Sequence, residues 1–143
     1  MTPKEEIEQL MNDPVVIGFA QKMLSDYGEF HPFGAAIKTD HTVGAYGADD
    51  GQELGPGQPK IDLLMEAFKK EAEEGKIRAC VIVANVLTVP PGETTKVDAI
   101  EMFFDHKDNY SVSMFFPYTL EGKNVTLGQP FGSKGTHYAF DLK

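Results

Sequence analysis

The chain contains no tryptophan and a single cysteine, Cys80. One cysteine excludes an internal disulfide, and with it the small secreted scaffolds that depend on such bonds. Cys80 sits in the apolar run RACVIVANV, where the expectation is a buried, inert thiol. A nucleophilic cysteine needs exposure and a positive neighbourhood. Basic residues are also scarce: 13 lysines and arginines face 22 aspartates and glutamates, for a net charge of −9. An acidic field repels phosphate backbones, so nucleic acid is not expected as a partner. No apolar stretch approaches the ~20 residues of a membrane-spanning helix. The opening MTPKEEIEQLMND lacks the basic start and apolar core of a signal peptide. The expectation is a cytoplasmic protein without membrane association, in which the NVT sequon at 124–126 carries no meaning.

What is present is ordinary for a folded domain. The 143 residues are 41% hydrophobic and 24% charged, enough for one core and one domain, residues 1–143. The whole negative excess falls within residues 1–75, while 76–143 balance. The N-terminal helices and the loop around Asp49 would therefore form one acidic side. That side reads as a solvated surface that also favours a basic partner.

The N-terminal unit, residues 1–28, is read as two helices. Thr2, Pro3 and Glu5 give a capping box and a first-turn proline. Asp13 and Pro14 restart the pattern, and Val15, Val16, Phe19, Ala20, Met23, Leu24 and Tyr27 recur at helical spacing before Gly28. Residues 29–143 form the α+β core. Phe33, Ala35 and Ile37 alternate with small or polar residues, as do Val43 and Ala45. A three-residue loop, Asp40-His41-Thr42, would pair Ile37 with Ala45 and put both apolar sets on one face, with His41 exposed at the tip. A third helix starts at Pro59 with a stripe of Ile61, Leu64, Met65, Phe68 and Ala72, and ends at Gly75.

KIRACVIVANVLTVP then reads as a central strand. VDAIEMFFDH and YSVSMFFPYTL flank a Lys107-Asp108-Asn109 loop that pairs Phe104 with Val112, Met102 with Met114 and Ile100 with Phe116. NVTLGQPF and THYAFDL supply one or two further strands. The order is helix-helix-β-β-α-β-β-β: an antiparallel sheet of about five strands with the helices packed on one face. That order is similar to profilin-like and roadblock-like folds, which serve many tasks. The stretches FHPFGAAI, DHTVGAYGADDG, LMEAFKKEAEEGKIRA, DAIEMFFDHKDNYSVSMFFPY and GQPFGSKG together resemble a family of small uncharacterised bacterial proteins. The resemblance covers nearly all the chain after residue 27. It implies a bacterial cytoplasmic protein and carries no activity with it.

Catalytic signatures are weak. His31, His41, His106 and His137 are far apart, without the spacing of a metal site, and no metal or other cofactor is expected. ADDGQE lacks the alternating oxygen ligands of a calcium loop. Ser111 and Ser113 lie near Asp105 and His106, but the register places His106 and Ser111 on opposite faces, which defeats a triad. No nucleophile elbow, P-loop or dinucleotide fingerprint is present. Two readings follow. In the first, the protein is a non-enzymatic interaction module. Phe103 and Phe115 share a sheet face with Glu101 and Ser113, and this face forms a homodimer or receives a protein partner. In the second, His31, Tyr46 and Asp49 line a small-molecule or enzymatic pocket between the first hairpin and the N-terminal helices. A filled glycine-rich hairpin face favours the first, and an open cavity with converging polar groups the second.

Overall fold

Residues 1–47 and 57–140 are described by the computed structural model of the chain. The first helix, α1 (Pro3–Met11), begins as its sequence predicts: the Thr2 hydroxyl accepts from the Glu5 amide and the Glu5 carboxylate from the Thr2 amide, both at 3.1 Å. Asp13 caps the next element through the Val15 amide. The chain takes a wider π-helical turn over Pro14–Gly18 before α2, Phe19–Tyr27. One further helix, α3 (Gly57–Glu73), separates the first hairpin from the rest of the sheet.

The sheet is larger than five strands. Its members are β1 (Phe33–Lys38), β2 (Val43–Tyr46), β3 (Ile77–Thr88), β4 (Val97–His106), β5 (Tyr110–Glu121), β6 (Asn124–Leu127) and β7 (Phe131–Lys134). All pairs are antiparallel, in the order β2-β1-β3-β4-β5-β6, with β7 also on β5. The extra strands come from NVTL and FGSK. The described part of THYAFDL is not a strand but a bent segment, residues 136–140, lying over the sheet.

Helices cover both faces of the sheet rather than one. On the first face α1, the π-helical turn and α2 bury Ile7, Leu10, Val16 and Leu24 against Val81, Met102 and Phe104. On the second, α3 lays Leu64 and Phe68 over Ala36, Cys80 and Ile82, with Ala139 and Phe140 beside them. Two covered faces explain why β3 is an almost unbroken apolar run. The small residues of β1 allow the close approach. A Cβ at Gly34 would meet the Phe68 ring at 2.7 Å.

The β1–β2 and β4–β5 hairpins both use three-residue loops whose last residue is left-handed, His41 at φ 72° and Asn109 at φ 60°. The second has the expected register, with Phe104 opposite Val112, Met102 opposite Met114 and Ile100 opposite Phe116. The first is shifted. Its loop is Thr39-Asp40-His41, so Ile37 faces Val43 and Ala35 faces Ala45. A shift of two pairing positions preserves the faces, and Phe33, Ala35 and Ile37 are buried while His41 is exposed.

Candidate functional site

Alternation along β4 and β5 places Glu101, Phe103 and Asp105 on the second face with Ser111, Ser113 and Phe115. Phe103 and Phe115 have different surroundings. Phe103 packs into the core under α3, and its carbonyl accepts from the Tyr138 hydroxyl at 2.6 Å. Phe115 belongs to neither core cluster and stacks on Phe131 of β7, ring centroids 5.0 Å apart and planes 10° from parallel. Ser113 lines a small hollow of ≈ 190 Å³ with Phe103, Lys134 and Tyr138.

The register makes a continuous row across four strands: Ala84, Glu101, Phe115 and Phe131. Direct cross-strand neighbours have Cβ atoms about 4.5–5.5 Å apart, so the Glu101 carboxylate stands beside the stacked rings. No described cation or hydrogen-bond donor satisfies that carboxylate. Desolvation alone raises it to about 7. Phe131 also borders an open hollow of ≈ 710 Å³ at the end of the sheet, lined by Pro90, Pro91, Val97, Pro117 and Pro130. Glu93 is the only charged residue lining it among the described residues.

Two polar clusters escaped the sequence reading. On the first face, His106 is fully buried and its Nδ1 accepts from the Asp108 amide at 3.0 Å. That fixes the proton on Nε2, which donates to Glu6 at 3.0 Å. The other partner of Glu6 is Arg78, whose Nε and Nη2 donate at 2.7 and 2.9 Å. Arg78 first and His106 second hold the Glu6 carboxyl down at about 2 against the opposing effect of burial. On the second face, Asp105 is fully buried. It accepts from the backbone amides of Ala139 and Phe140 at 3.0 Å each and lies 2.6 Å from His137 Nδ1. His137 Nε2 is 3.1 Å from Asn109 Oδ1. The acid–histidine pair therefore ends on an asparagine rather than on a nucleophile. Gly135 lets the segment cross β5, because a Cβ there would collide with the Val112 backbone nitrogen. Beneath the segment, burial pushes the Cys80 thiol far above its ordinary range.

His31 and Tyr46, both read as pocket-forming, border different hollows. His31 borders a hollow of ≈ 450 Å³ with Gln58, Ile61 and Asn85. Tyr46 borders an apolar groove of ≈ 620 Å³ with Val15, Phe19, Phe33 and Ala45, and its hydroxyl donates to Glu71 at 3.2 Å. Burial, with Glu71 second, raises the Tyr46 hydroxyl to about 12. Asp49 lies outside the described residues. Among the described residues no group of three metal-ligating side chains converges, and no helix is long and apolar enough to cross a membrane. Compared with family models, curated proteins and solved structures, the chain matches none.

Proposed function

We propose that the protein is a non-enzymatic interaction module that docks a protein partner through the β4–β5–β7 end of its second sheet face. The observation that carries this reading is the Glu101–Phe115–Phe131 row. Among the described residues it combines two stacked rings outside both core clusters, a carboxylate without a cation or donor and the adjoining proline-lined hollow. The glycine-bearing face of β1 supports it too, since Phe68 fills the space a ligand would need. The buried histidine and carboxylate clusters each fasten a segment of chain to the sheet. Phe103, packed under α3 and the 136–140 segment, lies outside this surface, and Ser113 lies at its border.

The test compares a Phe115→Ser/Phe131→Ser double variant with the parent, with folding verified by near-native circular dichroism. Velocity sedimentation reads self-association, and affinity capture from the source cells reads a different partner. A partner, or a second copy, that the parent holds and the folded double variant loses supports docking. A parent that is monomeric and holds nothing the double variant loses overturns it.

The apolar groove supplies a second reading. Val15 and Phe19 are 38% and 42% exposed beside Phe33 and Ala45, a lining suited to a small apolar molecule. Anilinonaphthalene sulfonate should then fluoresce with the parent and lose most of its signal with Phe19→Glu. Equal fluorescence from both proteins removes this reading.

A further inference from the structure

The partner's chemistry can be narrowed, given the docking reading above. We propose that the Glu101–Phe115–Phe131 row receives an arginine side chain of a protein partner, its guanidinium stacked on Phe115 and paired with Glu101. Three observations converge. Glu101 has no cation or donor of its own among the described residues, so its charge awaits a partner. Its cross-strand neighbour is an aromatic ring already held in a parallel stack, so the ring presents its face with little loss of side-chain freedom on binding. The adjoining hollow carries Glu93 and no cationic lining residue among those described, so its charge is negative, and Lys134 lies at the opposite, Ser113 end of the face.

Arginine fits this arrangement better than lysine. A planar guanidinium stacks on an aromatic face while its edge forks onto a carboxylate, whereas an ammonium is a compact, strongly hydrated point charge. A second copy of this chain is a poorer occupant. In a symmetric dimer the patch meets its own copy, which brings Glu101 and Glu93 onto a surface that carries the same two carboxylates. The hollow, walled by Pro90, Pro91, Pro117 and Pro130, then takes the apolar residues flanking the arginine.

The experiment is a nitrogen-15 NMR titration of the full chain with Nα-acetyl-arginine amide, and with the neutral isostere Nα-acetyl-citrulline amide, at pH 8. The arginine probe is expected to shift the amides of Glu101, Phe115 and Phe131 in a saturable manner, and the citrulline probe is not. Glu101→Gln, which keeps the side-chain shape, should weaken the arginine probe about ten-fold, the loss typical of a charge-assisted contact. Phe115→Leu should weaken it by a smaller factor while leaving Glu101 in place. Shifts spread over the acidic residues of 1–75 without a cluster at this row overturn the proposal. So does an unchanged affinity in Glu101→Gln. The docking reading fails separately: if Phe115→Ser/Phe131→Ser loses a captured partner that Glu101→Gln retains, the surface stands and its arginine chemistry does not.

Discussion

Asp105 and His106 are neighbours on β4, yet their side chains enter opposite layers and fasten opposite ends of the chain. His106 meets Glu6 of α1 on the first face, and Asp105 meets the 137–140 segment on the second. The two attachments are built differently. The Glu6 cluster brings together side chains from α1, β3 and β4, and its charge is balanced by Arg78. The Asp105 cluster is local to one bent segment, and two of its three donors are backbone amides. The first should therefore govern global stability and the second a local opening.

Removing the Glu6 carboxylate gives the largest expected effect. Glu6→Ala leaves a buried histidine donor and a largely buried guanidinium without their acceptor, at a cost of about 3 kcal/mol. Urea unfolding should show this as a lower midpoint with a single transition. A loss below about 1 kcal/mol would mean that α1 is held by Ile7 and Leu10 alone.

Asp105→Asn should act more locally. The amide turns a donor toward donors and loses charge-assisted hydrogen bonds worth about 2 kcal/mol. The 137–140 segment then opens without global unfolding. Cys80 reports it, because its Sγ is 3.6 Å from the Tyr138 hydroxyl beneath that segment. An aromatic disulfide reagent should label Cys80 faster in this variant than in the parent. Equal labelling rates would show that Ala139 and Phe140 hold the segment through packing.

The pH profile sharpens the same contrast. Glu6 has its folded value lowered from 4.5 to about 2, so the unfolded chain binds the extra proton between those values. Its stabilisation is complete above pH 4.5 and is lost as the pH falls toward 2. Glu101 behaves oppositely. Its folded value is raised from 4.5 to about 7, so its contribution falls as the pH rises through that window. Glu6→Ala should flatten the acid limb and Glu101→Gln the limb from pH 4.5 to 7. An unaltered upper limb in Glu101→Gln would show that Glu101 is better solvated than its place beside Phe115 implies.

The smallest effect on stability belongs to the docking row. Phe115→Ser and Phe131→Ser each remove a half-buried ring outside the core clusters, and each should cost about 1 kcal/mol. A loss above about 3 kcal/mol would move the rings into the core.

The start of α1, the Lys107-Asp108-Asn109 register and the burial of Cys80 were legible because local chemistry decides each of them, whereas α3 starts at Gly57 rather than Pro59. Thr2 and Glu5 cap within one turn, and Asn109 tolerates the left-handed conformation that its loop needs. The first hairpin was legible only in parity, since a shift by two leaves the same side chains buried. The apolar stripe of α3 showed that one side is buried but not against which sheet face. The residues proposed for the docking face were grouped by alternation, but alternation could not separate Phe103, covered by a segment far along the chain, from Phe115. The Glu6–His106 and Asp105–His137 pairs span 100 and 32 residues, and no local spacing encodes such contacts. The one available signal was the pair of adjacent polar residues closing the apolar pattern of β4.

That adjacency also has a mechanical meaning. A force applied between the N-terminal helix and the 137–140 segment would meet on β4 at Asp105 and His106, with Arg78 passing part of it to β3. The β3–β4 ladder would share that load, because Glu6 is held by Arg78 of β3 as well as by His106 of β4. Under tension the molecule would shed its two ends first, with the short Asp105 attachment yielding before the Glu6 cluster, and the central sheet would remain intact until both were gone.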